Sequence, residues 1–166
     1  MKAITLYQPW ASLLIQGHKK FETRSWKHSY TGQLAIHAAT KKPHDTMRDL
    51  NHNIVKAIGE KFGIAEAPAV TVIALLNSLL PTGAILGTTY HVGCRPIDAI
   101  QEMRDAPFET GCWDGLNWID PPEEEILFGD WTPGRFAWEQ ADPKPFSKPI
   151  PAKGKQGLWE WVRYHE

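Results

Sequence analysis

The alternation of apolar and polar positions in residues 2–6 predicts a first β-strand. Pro9 stands where a helix begins, Trp10, Leu13 and Leu14 follow at helical spacing, and Gly17 supplies a stop, so a short amphipathic helix is predicted over 9–16. Residues 21–26 alternate as a strand, with Phe21, Thr23 and Ser25 on one face and Glu22, Arg24 and Trp26 on the other. After the turn signal Thr31-Gly32, residues 33–38 predict another strand, with Leu34, Ile36 and Ala38 opposed to Ala35 and His37. Pro43 opens a helical stretch that carries Met47, Leu50, Ile54, Ile58 and Phe62 to a stop at Gly63. Residues 68–80 are apolar; their length and Ala/Leu content favour a helix, while Val70, Thr71, Val72 and Ile73 pull towards a strand.

Pro81-Thr82-Gly83 breaks that run, and residues 84–92 predict a central strand. A short helix is expected over 97–103, and a long ordered loop over 105–133, where Pro, Gly and Asp surround Trp113, Trp118 and Trp131. Residues 134–141 alternate as a strand, Phe136 and Trp138 against Ala137 and Glu139. The prolines at 143, 145, 149 and 151 are expected to keep that segment out of a sheet, and a final strand falls within 157–162. Five or six short strands with helices between them, in no regular alternation, predict an α+β fold: a small mixed or antiparallel β-barrel with helices at its ends. One domain over 1–166 is expected, with a helical insertion at about 43–80.

Composition narrows the class. With 42% hydrophobic and 22% charged residues among 166, the chain is an ordinary globular one, and long disorder or a coiled coil is excluded. Cys94 and Cys112 are too few for a disulfide framework or a zinc site. The first residues lack the apolar core of a signal peptide, and the run 69–80 falls short of the roughly 20 residues a bilayer span needs. A cytosolic protein without membrane contact is expected. The net charge is −1, yet residues 1–60 carry +5, residues 61–130 carry −8 and residues 131–166 carry +2. If the two basic ends fold together, they make a positive face.

No phosphate loop, nucleophile elbow or His-Glu-x-x-His motif is present, and no cofactor is expected. The histidines are scattered without a metal-like helical spacing, which argues against a metal. The dense polar cluster is residues 17–26. Lys19 lies in a turn, while Glu22, Arg24 and Trp26 share a strand face: either an outer solvated wall with an ion pair, or a pocket in which Arg24 holds an acceptor or phosphate, Glu22 accepts from an amine and Trp26 stacks on a base. His37 and Lys41 follow on the next strand and its exit; a lone histidine of this kind is commonly a satisfied core residue. Of the eight tryptophans, Trp138, Trp159 and Trp161 fit a core, whereas Trp10, Trp26 and Trp131 have polar neighbours suited to a cleft.

Ile4-Thr5-Leu6-Tyr7-Gln8-Pro9-Trp10-Ala11, followed by Gly17, Lys19, Glu22, Arg24, Trp26 and Gly32-Gln33-Leu34-Ala35-Ile36-His37-Ala38, resembles the ASCH domain family of the PUA-like superfamily. Gly134-Arg135-Phe136-Ala137-Trp138-Glu139 and Gly157-Leu158-Trp159 resemble its closing strands. The resemblance implies a small cytosolic β-barrel with a cleft for RNA or modified nucleobases. Some members resemble amidohydrolases that deacylate N4-acetylcytidine, and others ribonucleases. Lys19 matches the lysine of the amidohydrolase branch, but Glu22 stands where that branch has threonine, so the hydroxyl nucleophile is missing.

Two functions of different class follow. In the first, a binding module captures RNA, another single-stranded nucleic acid or a modified nucleoside. Trp10 or Trp26 stacks, Arg24 and Lys19 hold phosphate or carbonyl oxygen, Glu22 and Gln8 read the base edge, and Lys41 and Arg135 add backbone attraction. In the second, a hydrolase uses Glu22 as general base and Lys19 to stabilise the oxyanion. A protein-interaction adaptor using the tryptophan-rich loop at 113–131 is a third, weaker expectation. Binding is weighted above catalysis because the nucleophile is missing and the acidic middle disfavours long polyanions.

Overall fold

A computed structural model describes residues 1–64, 66–100, 109–113 and 118–162. In chain order the elements are β1 (Lys2–Leu6), α1 (Trp10–Ile15), β2 (Phe21–Arg24), β3 (Gly32–Ala38), α2 (Pro43–Met47), α3 (His52–Lys61), α4 (Ala69–Leu79), β4 (Ala84–Ile100), β5 (Glu109–Trp113), β6 (Trp118–Ile119), α5 (Glu123–Leu127), β7 (Phe136–Pro151) and β8 (Leu158–Glu160). The main sheet runs β2-β7-β4-β3-β1-β8, with β5 and β6 continuing from the far end of β4. β1 and β3 are parallel, and the other pairs are antiparallel.

Period-2 patterning places α1 on one side of the sheet. Ile4 and Leu6 of β1 and Leu34, Ile36 and Ala38 of β3 pack with Leu14 and Ile15 of α1 and with Trp138. Their alternates Ala3 and Ala35 face the other side, where Ile85, Trp159 and Trp161 form a second cluster. A third cluster joins Leu13 to Met47, Val55, Ile58, Val72, Leu76 and Phe128, so α2, α3 and α4 are anchored to α1. Among the described residues, no helix is long and apolar enough to cross a membrane.

Several expectations need correction. The α+β class holds, but the sheet is not closed into a barrel: among the described residues β2 and β8 end the strand path without pairing to each other. The helical stretch from Pro43 is two helices, because the Asn51 side chain accepts the Asn53 N–H at 2.9 Å and starts α3 anew. Residues 68–80 resolve as a helix, with Val72 and Leu76 buried one turn apart; the neighbouring β-branched residues do not override that stripe.

The helix expected over 97–103 is instead the end of β4 as far as Ile100, with Ile97 buried against Phe21, Cys112, Trp131 and Ala137; residues 101–103 lie outside the described residues. The expected loop over 105–133 contains β5, β6 and α5, although 105–108 and 114–117 are not described. The proline-rich segment does lie in a sheet, since β7 pairs with β4 as far as Pro151. β2 covers only Phe136–Glu139 of β7, so the prolines sit where that strand has one neighbour and needs no second set of N–H donors.

Gly87 marks the closest approach between layers. A Cβ there would lie 2.3 Å from the Lys144 carbonyl oxygen and 2.8 Å from Ile15 side-chain carbons. Gly87→Ala is expected to destabilise the fold by about 1–3 kcal/mol, seen as a lower urea midpoint with an unchanged slope. A midpoint equal to that of the parent protein would contradict this packing.

Candidate functional site

β2 is held at both ends by the segment that follows β6. The buried Glu125 carboxylate of α5 accepts the Lys20 and Phe21 backbone N–H groups and so fixes the start of the strand. Burial raises the pKa of Glu125 above the usual carboxylate range, against the pull of those donors and of Lys19 and Lys20. The Thr23 hydroxyl accepts the Asp130 N–H at 2.8 Å. Phe21 packs edge-on against Trp131, with ring centroids 5.7 Å apart, and the Trp131 indole donates to the Glu125 carbonyl.

With Phe21 and Thr23 turned inward, Glu22 and Arg24 face outward as the alternation predicts. The Glu22 carboxylate lies 3.2 Å from Lys19 Nζ through one oxygen and 3.1 Å from Arg24 Nε through the other. The Lys19 side chain is only 1% exposed, and its ammonium also donates to the Phe21 carbonyl. Arg24 Nη2 donates to the Thr5 carbonyl at 3.3 Å, linking β2 to the end of β1.

Between these open sheet ends lies a cavity of about 1000 Å³. Glu22, Arg24 and Trp26 form one wall, and Thr5, Tyr7 and Trp10 form the floor and near side. Residues 153–157, which lead into β8, form the opposite wall. Arg24, Lys41, Arg135, Lys153 and Lys155 line it against the single carboxylate of Glu22, so the two basic ends of the chain do meet here. Arg135 is already engaged, with Nε 3.1 Å from the Asp130 carbonyl and Nη2 3.4 Å from that of Thr23.

His37, the register partner of Thr5, borders the same cavity although its residue is 1% exposed. Its Nε2 lies 3.0 Å from the Ala152 carbonyl, which only accepts, so Nε2 carries the proton. Nδ1 is left as a buried acceptor with no partner. Gly154 passes so close that a Cβ would lie 2.6 Å from that nitrogen. Burial lowers the His37 pKa, opposed by the Ala152 hydrogen bond.

Of the predicted site residues, Trp10, Glu22, Arg24, Trp26, His37, Lys41 and Arg135 come together around the cavity. Gln8 and Lys19 do not line it. Gln8 is buried and spans Ser12 and the Pro81 carbonyl at 2.9 and 2.7 Å, bracing α1. Lys19 lies behind Glu22 and positions it. Trp131 is in the core rather than the cleft, whereas Trp138, Trp159 and Trp161 are buried as expected. Sequence reasoning missed Thr5, Tyr7, Lys153 and Lys155. The Lys153-Gly154-Lys155 run was the available signal, a basic glycine-containing connector beside a strand.

The family described as ASCH domain matches residues 4–150. Activating signal cointegrator 1 of Homo sapiens is 50% identical over 40 residues, which is 24% of this chain and 7% of that protein. The Mus musculus protein of the same name is 48% identical over 40 residues, with the same shares. The chain thus matches less than a tenth of the length of these relatives.

Removing Lys19 takes the ammonium donor from the Phe21 carbonyl and leaves Glu22 with Arg24 as its charge partner, so Lys19→Ala is expected to lower stability by about 1–3 kcal/mol, while Arg24→Ala, at a half-open position, costs about 1 kcal/mol or less. Chemical denaturation checks both, and equal effects would refute the division of roles. His37 adds a pH dependence. Its folded pKa is below that of a free imidazole, so as pH falls below about 6.5 the unfolded chain takes up the proton first. Stability is then lost until the lowered folded pKa is reached. In NMR titration the His37 ring is expected to protonate at lower pH than a free imidazole; a midpoint at or above that of a free imidazole would contradict it.

Proposed function

The chain belongs to the ASCH domain family, and from that premise we propose that it is a nucleic-acid-binding domain whose cleft receives a base of single-stranded RNA or a modified nucleoside. The observation that carries this is the convergence, in one cavity of about 1000 Å³, of exposed aromatic faces, cationic groups and hydrogen-bond acceptors. Trp26, 36% exposed and braced edge-on by Trp138 with ring centroids 4.5 Å apart, offers a rigid stacking platform. Glu22 offers an acceptor for the N–H groups of a base. The exposed Lys41, Lys153 and Lys155 suit the phosphates on either side of it.

A short or single-stranded ligand fits better than a duplex. Unpaired bases leave their faces free to stack on aromatic side chains, and the acidic middle of the chain limits the attraction for a long polyanion. A hydrolytic role for the Lys19–Glu22 pair is less well supported, because the Lys19 ammonium is committed to Phe21 and Glu22 and has no place at the cavity surface. The adaptor alternative loses one of its anchors with Trp131 buried. Cys94 and Cys112 are not joined in a disulfide, which is in keeping with a reducing, cytosolic setting.

Titration with short RNA, DNA of the same sequence, and free nucleosides tests the proposal. Trp26→Ala and Arg24→Ala are each expected to weaken binding about tenfold, a single stacked base contributing about 1–3 kcal/mol, with folding retained. Affinity falling with added salt for RNA but not for nucleosides would locate the phosphates at the lysines. Unchanged affinity in both variants, or no binding of any of these ligands, would remove the cleft from consideration.

A further inference from the structure

Beside Trp26 and Trp138, three donors converge from separate parts of the chain. His28 lies between β2 and β3, while His91 and Cys94 lie on β4. Their ligand atoms are all within 4.8 Å of one another. In a regular strand, residues 91 and 94 point to opposite faces. Here the β4–β7 register shifts between His91 and Gly93, and that irregularity brings both side chains to one face. We propose that His28, His91 and Cys94 form a binding site for a transition-metal ion of the zinc class, distinct from the nucleobase cleft.

The hydrogen bonding around His91 fits a ligand. Nδ1 lies 3.1 Å from the Glu139 carbonyl and donates to it, leaving the Nε2 lone pair directed at Cys94 Sγ, 3.8 Å away. A metal-binding histidine is usually oriented by such a bond from its other nitrogen to a backbone carbonyl. The Gln140 amide nitrogen, 2.9 Å from the same Nδ1, is itself a donor and cannot bond a protonated Nδ1, so in the ligating tautomer its N–H is left to the Trp138 carbonyl at 3.4 Å. His28 Nε2 is buried and has no hydrogen-bond partner. Its Nδ1 accepts the Tyr30 N–H at 3.1 Å, so Nε2 carries a proton that meets no acceptor; for Nε2 to ligate, the ring takes its other tautomer, the proton passing to Nδ1, which gives up the Tyr30 contact. Burial favours the neutral imidazole at both histidines.

The donor set selects the ion. Two imidazoles and a thiolate, with no carboxylate among them, suit zinc and its neighbours rather than magnesium or calcium. On binding, the Cys94 thiol releases its proton to solvent and ligates as the thiolate. Cys94 and His28 are half-buried, so an ion has a path in, and a fourth position remains for water or an outside ligand. The Trp138 ring is 4.1 Å from the His28 ring and 5.7 Å from that of His91, which places an indole reporter beside the site.

The test is equilibrium dialysis of chelator-treated protein against zinc, with cobalt substitution followed by absorbance. One zinc per chain is expected, with a thiolate-to-cobalt charge-transfer band and a change in tryptophan fluorescence. Cys94→Ser and His28→Gln are each expected to weaken binding about tenfold or more, with circular dichroism confirming that they fold, and Cys112→Ala to leave it unchanged. Zinc bound equally well by Cys94→Ser, or substoichiometric binding by the parent protein, would overturn the site. Should a variant fail to fold, the cobalt spectrum of the parent decides, since absence of the charge-transfer band excludes Cys94 as a ligand. Nucleic-acid affinity is not part of this readout, so the cleft and the metal site fail independently.

Discussion

An ammonium group almost sealed from water, that of Lys19, stands between the Phe21 carbonyl and the Glu22 carboxylate, and the cleft wall takes its shape from that contact. A charge so placed is tolerable only while both partners stay in position. Glu22 is thereby held with its second oxygen towards Arg24, and Arg24 in turn reaches across to the Thr5 carbonyl. One buried cation thus orients an acceptor and a cation that face solvent. It also ties the four-residue strand β2 to the parallel pair β1 and β3, with which it shares no ladder.

The cavity exists because the sheet is open. β2 and β8 terminate a six-strand path, and the connector at 153–157 runs along the gap that strand pairing leaves. Chain ends of like charge meet there, which concentrates positive potential in a protein of net charge −1. The same opening explains the arrangement at His37. Its proton is committed to Ala152, and its remaining nitrogen is shielded by a glycine whose missing side chain permits the approach.

Trp138 connects the two regions proposed to bind ligands. It is fully buried, donates to the Trp26 carbonyl at 3.1 Å, and packs against Trp26, His28 and His91. The platform at the cleft and the donors beside it therefore rest on one indole, and the position of either set depends on the packing of β7 against β4.

Much of this was legible in the residue pattern. Alternation in β1, β2 and β3 set which side chains face inward, and it correctly turned Glu22 and Arg24 away from Phe21 and Thr23, because a strand has a period of two wherever it lies. The ordered residues of the first 40 positions, with the closing strands, carried the family resemblance that the match over 4–150 bears out. Long-range partnership was not legible. Prolines 143–151 enter a sheet only because that part of β7 has a single neighbour, and Ile97 continues a strand only because β5 and Phe21 meet it. Lys19 is hidden by Phe21 and Glu22, Trp131 is drawn into the core by Phe21, and His28 meets His91 and Cys94 through an irregularity in β4. The sequence by itself determined local periodicity and hence the inward faces; the tertiary structure decided burial, charge pairing and donor convergence, since these depend on contacts between residues far apart along the chain.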